Sequence, residues 1–391
     1  MKVFFRRIHL YLAFAAGLVI MTTCFTGAVL VFEEELQHSL HKERYFVSAT
    51  NTAQPIESLL ASVREKVPEA SISGIKIYAD STRSAEITFS IKRAGEGKNE
   101  MGTAANKTAG KSKPVPKEGG SLVAFVNPYT TEVIELYNHQ NSFFYSMMSL
   151  HRWLLSGRTG KLVVGVCTLA FLFIIITGIV LWWPKTKNIL QQRLKIRWQG
   201  GWKRLNHDLH IVLGFYSALF LFVFAFTGLA WSFQWFHKGI YKVTGSSMEQ
   251  KKPPVSSTKG NVDSLSLNNF FSFIKTQVKE VRYYNIDIPK DSIAPFSVIV
   301  LPNSAPHESA IDIYFIDRNK TLLIGIQKFS DRNLGQKVRS TFRPIHVASI
   351  FGVGSKIIGF IVCICGVFFP ATGYIMWWLR TRKRLAKQAT Q

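Results

Sequence analysis

The sequence predicts a membrane α-helical bundle of four transmembrane helices with two small α+β domains outside the bilayer, built by internal tandem duplication. Three observations predict it. Four apolar runs reach the roughly 20 residues needed to cross a hydrocarbon core about 30 Å thick: 10–32, 162–183, 211–231 and 357–379, none holding a charge. The segments after the first and third runs read as the same order of soluble elements. Finally, Thr-Gly-x-x-x-Trp-Trp occurs at 177–183 (TGIVLWW) and 372–378 (TGYIMWW), each copy 26 residues after a histidine, His151 or His346.

The first run follows Lys2, Arg6 and Arg7, as a secretory signal would. Its apolar stretch is longer than a signal core of about 7 to 15 residues, and no small-x-small cleavage site precedes Glu33-Glu34-Glu35. It reads as a retained anchor. The acidic triplet reads as the solvated end of that helix, with contact to iron as the alternative.

Basic residues set the orientation. The connector 184–205 carries seven Lys/Arg and no acid, and the tail 380–391 carries five, which places both in the cytoplasm together with the N-terminus. The segment 33–150 balances 13 Lys/Arg against 14 Asp/Glu, as a translocated domain does. The net charge of +24 therefore reports topology and contact with anionic lipid head groups rather than a nucleic-acid partner. All four cysteines (Cys24, Cys167, Cys363, Cys365) lie in apolar runs, so neither a disulfide framework nor a thiolate metal site is written here.

In the first soluble domain, 33–150, residues 55–70 have Ile56, Leu59, Leu60 and Val63 at helical spacing behind Pro55. ISGIKIYAD and SAEITFSIKR alternate as strands. The stretch 95–120 is rich in Lys, Gly, Ala and Ser and reads as a flexible insert. SLVAFVNPYTTEVIEL then gives two strands about an Asn-Pro turn. The second domain, 232–345, repeats a helix (SLNNFFSFIKTQVKEV) and strands (VRYYNIDI, PFSVIVLP, AIDIYFIDRNKTLLIGIQKF), with a turn at Asp317-Arg318-Asn319. Helix one matches helix three, because His9 precedes Thr26-Gly27 by 17 residues and His210 precedes Thr227-Gly228 by 17. Neither half is inverted, unlike the repeats of many secondary transporters.

Ionisable residues at a membrane boundary are costly and suggest function. Topology places His9 and His210 at the cytoplasmic ends of helices one and three, and His151 and His346 before helices two and four on the exported side. A neutral imidazole is an axial ligand for haem iron, and facing helices can offer two. Two such pairs predict a two-haem electron path across the bilayer; the alternative is that each histidine simply snorkels to head groups. The 18 residues from His9 to Gly27 complete five turns, so both lie on one helix face. His210 and Gly228 repeat this, and a glycine there would let a second macrocycle approach the backbone, with ordinary small-residue helix packing as the alternative.

Continuous helix from His151 or His346 would run about 39 Å, more than the core needs, so breaks are expected at 156–160 and 352–355. His207 shares a face with His210 and is the second-best ligand. Arg152 and Arg343 are candidates to pair with haem propionates. Trp182-Trp183 and Trp377-Trp378 are expected as interfacial anchors.

These residues resemble the PepSY-associated transmembrane family: a histidine heading the first helix (RRIHLYLAF, His9), an LHRWL segment (His151), a helix ending TGxxxWWP (177–184) and an Asp-Leu-His segment opening the third (208–210). The likeness spans nearly the whole chain, and the soluble domains resemble PepSY modules; the insert 95–120 departs from the pattern. The resemblance is closest to the FoxB-like branch, inner-membrane proteins of iron uptake that carry b-type haem and reduce ferric siderophores in the periplasm. It implies two b-type haems held by His9, His151, His210 and His346, two periplasmic domains, a ferric siderophore as substrate, and a separate cytoplasmic reductase or quinol as donor. No nucleotide-binding fingerprint supplies a donor site: GVGSKIIG at 352–359 lacks the strand and phosphate-loop context. The competing readings are a PepSY-type scaffold without redox activity and a siderophore-binding or transport protein. The absence of Asp and Glu from all four spans disfavours transport.

Overall fold

The computed structural model describes residues 1–391 except 51, 92–121, 250, 257–266, 290, 292–293, 318–321 and 390–391, and except the side chains of 383–387 and 389. The expected insert 95–120 and the Arg318-Asn319 part of the expected turn lie outside the described residues. In chain order the first elements are α1 (Lys2–Val31), α2 (Glu33–Leu40), α3 (Lys42–Tyr45), α4 (Ile56–Lys66), β1 (Ala70–Tyr78), β2 (Ala85–Ile91), β3 (Leu122–Val126) and β4 (Val133–Tyr137). There follow α5 (Phe143–Trp153), α6 (Gly157–Trp182), α7 (Lys187–Arg193), α8 (Gly201–Asp208), a π-helical turn (Leu209–Leu213), α9 (Gly214–Ser232) and α10 (Gln234–Val243). The last are α11 (Leu267–Gln277), β5 (Val281–Asp287), β6 (Phe296–Pro302), β7 (Asp312–Ile316), β8 (Leu323–Gln327), α12 (Leu334–His346) and α13 (Gly352–Ala389). They form two units. One comprises 1–33, 143–248 and 333–391; the other comprises 34–142 and 249–332.

Among the described residues of the first unit, four helical stretches are long and apolar enough to cross a membrane: Lys2–Val31, Gly157–Trp182, Gly201–Ser232 and Gly352–Arg382. They coincide with the four runs read from the sequence, and the protein is a membrane protein. All four begin earlier than the apolar runs, the first and third by eight residues or more, so His9 lies two turns inside α1 and His210 inside a helical stretch that starts at Gly201. A helix closes its own backbone hydrogen bonds and need not end where the side chains become polar.

Small residues let these helices approach. A Cβ at Gly17 would touch Pro370 at 3.4 Å, and one at Gly366 would stand 2.6 Å from the Cys24 sulfur, so α1 and α13 pack nearly backbone to backbone. Ala16, Ile20, Cys24 and Ile174 form the α1–α6 core, and Leu172, Ala225 and Leu229 the α6–α9 core. The α6 C-terminus is capped by Arg193, whose Nη1 donates to the carbonyl oxygens of Leu181 and Trp182. Trp182 departs from its expected role as an interfacial anchor: it is buried and stacks on Phe215 at 3.7 Å, whereas Trp183 is exposed.

The breaks before helices two and four fall at 154–156 and 347–351, earlier than the expected 156–160 and 352–355, because α6 already starts at Gly157 and α13 at Gly352. Leu154, Leu155, Gly157, Ala348 and Gly352 all take positive φ there. Gly160 makes the α5–α6 corner possible, since a Cβ at that position would overlap the carbonyl oxygen of Trp153. The short helices α5 and α12 belong to the membrane unit, although the sequence reading assigned most of each to the soluble domains.

In the second unit the eight strands form one antiparallel sheet in the order β4-β3-β2-β1-β5-β6-β7-β8. Each half is a four-stranded meander with one helix, α4 or α11, as the alternating patterns require. The sequence reading expected two separate domains. Instead, β1 pairs with β5 from Gly74–Asp287 to Tyr78–Tyr283, and both helices share one core in which Val63, Ile75, Ile87, Ile274, Ile286, Val298 and Ile316 are fully buried. An edge strand with unpaired amides is a liability that this pairing removes.

Candidate functional site

The four predicted histidines sit on four different helical segments, and each turns its ring onto a Thr-Gly pair of another helix. On α5, the His151 Nδ1 lies 2.9 Å from the carbonyl oxygen of Thr23 and 3.1 Å from Thr26 Oγ1, both on α1. On α12, His346 Nδ1 stands 2.9 Å from the Phe224 carbonyl and 3.1 Å from Thr227 Oγ1 on α9. On α1, His9 Nδ1 lies 3.0 Å from both the Ile174 carbonyl and Thr177 Oγ1 of α6. In the π-helical turn, His210 Nδ1 lies 2.8 Å from Thr372 Oγ1 of α13.

A carbonyl oxygen only accepts, so Nδ1 carries the proton in the three rings that meet one. Thr372 Oγ1 donates to the Phe368 or Phe369 carbonyl and thus accepts from His210. All four imidazoles are then Nδ1–H tautomers with the Nε2 lone pair outward, the form that ligates a metal. No Nε2 of the four has a hydrogen-bond partner among the described residues.

The glycine of each pair makes room for the ring. An added Cβ would come within 3.3 Å of His151 Cε1 at Gly27, 3.4 Å of His9 at Gly178, 3.1 Å of His346 at Gly228 and 3.4 Å of His210 at Gly373. At Gly27 and Gly228, where the sequence reading expects a macrocycle to approach, the flat group against the glycine is the imidazole of His151 or His346. The repeated Thr-Gly served in the sequence only as a spacing marker. Its role was not readable because the histidine it receives lies on a different helix, 119 to 168 residues away.

The rings gather in pairs. His151 and His346 face each other with centroids 6.1 Å apart and planes inclined by 64°. An ion bonded at about 2 Å to a nitrogen of each ring fits that separation. His9 and His210 lie within electrostatic reach of one another toward the other end of the bundle. Helix α1 carries His9 of one pair and Thr26-Gly27 of the other, so the pairs stand about 26 Å apart along its axis. Burial pushes the imidazoles of His151 and His346 below their ordinary value, the latter to about 4, with the neighbouring His151 adding to the effect on His346. Both are neutral at pH 7. Among the described residues, no group of three or more His, Cys, Asp or Glu could hold a metal ion by itself.

The other candidates separate. His207 turns its Nδ1 to Asp208 Oδ1 at 3.3 Å and is partly exposed, so His210 rather than His207 meets the Thr-Gly pair. Buried Asp208 is held by Arg204 at 2.8 Å. Arg152 and Arg343 are exposed, Arg152 beneath Trp153. A cation that the sequence reading did not single out, Arg339, stacks on Trp231 at 4.8 Å, and Trp231 touches the His346 ring at 5.4 Å. Ser149, two residues before His151, is buried with its hydroxyl unpartnered among the described residues.

Residues 6–380 match the family model described as the PepSY-associated TM region. The chain belongs to that family. This PepSY-associated membrane protein thus confirms the resemblance carried by RRIHLYLAF, LHRWL and TGxxxWWP, at the level of the family. No curated protein matches it.

Proposed function

We propose that this PepSY-associated protein is a bacterial inner-membrane di-haem oxidoreductase that passes electrons across the bilayer to periplasmic ferric siderophores and releases Fe(II) for uptake. The observation that carries the reading is the set of four neutral-tautomer imidazoles, each tied through Nδ1 to a threonine of another helix, arranged as two pairs near opposite ends of one bundle. The donor set fits two b-type haems, one between His151 and His346 and one between His9 and His210. When bound, haem would supply one-electron chemistry at each end of a barrier that ions do not cross.

The chain's own residues do the rest. Thr26, Thr177, Thr227 and Thr372 fix the ring planes and hold Nε2 unprotonated. The glycines allow the helices to close on the rings and exclude water. Positive-inside charge puts the 184–205 connector and the C-terminal tail in the cytoplasm, next to the His9/His210 end, where a quinol or a separate reductase would deliver electrons. The His151/His346 end then faces the periplasm. An Fe(III) chelate that gains one electron there becomes Fe(II), which the hard oxygen donors of a siderophore hold less well.

Proteoliposomes loaded with a reductant and given a ferric hydroxamate outside test this directly. The wild type should deliver Fe(II) to an external Fe(II) chelator, and His346→Ala should fall to the protein-free background. Colourless protein that produces no Fe(II) would instead favour the scaffold reading.

A further inference from the structure

Among the described residues, Arg339 is a cation without a counter-ion. It lies on α12 seven residues before His346, on the same helix face. Its Nε donates to His237 Nδ1 at 3.1 Å, and its guanidinium lies over Trp231 at 4.8 Å and Phe342 at 5.5 Å. No carboxylate pairs with it among the described residues, and its terminal nitrogens have no hydrogen-bond partner there. His237 brings no negative charge: burial and the Arg339 charge itself push that imidazole below its ordinary value, which favours the neutral ring that accepts from Nε. Burial also pulls the guanidinium down from its ordinary value. Aromatic faces attract a cation, but they do not satisfy the N–H donors of a guanidinium fork. A half-buried charge in this state is costly unless an anion completes it.

Position identifies the anion. Trp231 touches both Arg339 and the His346 ring, so the guanidinium fork lies one indole contact from the His151/His346 pair. We propose that Arg339 binds a carboxylate side arm of the porphyrin held between His151 and His346, an inference that rests on the haem reading above. The fork geometry suits a carboxylate bidentately. Arg339 is therefore a positioning residue that sets the rotation of the ring about the iron axis, in place of Arg343, which is exposed. A lipid phosphate offers similar acceptor chemistry, but it has no reason to lie beside His346.

The test uses the full chain in the His9→Ala background, stripped of pigment and reconstituted in neutral detergent with haem or with haem dimethyl ester, which has the same ring and iron but no carboxylate charge. With Arg339 intact, haem should be retained about tenfold better than the ester. Arg339→Gln should abolish that preference, and Arg339→Lys should keep part of it. Reconstitution of Arg339→Gln with His9 restored should still fill the His9/His210 end, which shows that the variant folds. A preference that survives Arg339→Gln overturns the proposal. So does a preference that appears only when anionic lipid is added, which would mark a phosphate site. If the parent takes up neither pigment, the haem reading itself fails; if it takes up both equally, only the role of Arg339 fails.

Discussion

His210 is the least supported of the four imidazoles. His9, His151 and His346 each meet both a backbone carbonyl and a threonine hydroxyl, whereas among the described residues the only acceptor at His210 Nδ1 is Thr372 Oγ1. Removing one of two acceptors costs less than removing the only one, which leaves a buried donor unpaired at about 1–3 kcal/mol. Thr372→Val should therefore destabilise the chain more than Thr227→Val, and thermal melts in detergent compare the two. The four histidines themselves were legible, because matched offsets of 17 and 26 residues are visible in one dimension. The threonines and Arg339 were not, because their partners come from other helices.

Asp287 carries a second prediction at this scale. Burial raises its carboxyl above the ordinary 3.8, against a smaller opposing effect from Ser297. A raised acid binds its proton more tightly folded than unfolded, so its contribution is most favourable below pH 3.8 and is lost as pH rises through the folded value. Asp287→Asn should melt higher than wild type at pH 7, and the difference should vanish below about pH 4.

At the scale of elements, hydropathy located the spans but not their true ends or the corners beside them. α5 and α12 mix polar and apolar residues, so no apolar run marks them as parts of the membrane unit. What sets the histidine-bearing corners is backbone geometry. Gly160→Ala forces a methyl into the Trp153 carbonyl and should cost about 3 kcal/mol or more, with His151 displaced from Thr26. Leu155, exposed and at φ 56°, makes the opposite case. Leu155→Asn places there a residue that tolerates left-handed backbone and should stabilise the corner by about 1 kcal/mol. Proteolysis rates and melting temperature report both changes.

For the whole molecule, the membrane class and the two meanders were legible, whereas their fusion into one sheet was not. Alternation tells which face of a strand is buried but not which edge it pairs with, and the β1–β5 seam joins residues more than 200 positions apart. The seam is also where the two halves share a core, so Ile286→Ala should cost about 2–5 kcal/mol and loosen both halves together in hydrogen exchange.

The bundle spaces its two histidine pairs about 26 Å apart along α1, and the functional account depends on both being filled. The haem-to-protein ratio of the purified chain, measured by pyridine haemochrome in wild type and in the His9→Ala and His346→Ala variants, tests this most directly. The account predicts two haems per chain in wild type and one in each variant, lost from opposite ends. A wild type without pigment, or variants that keep the full complement, would contradict it.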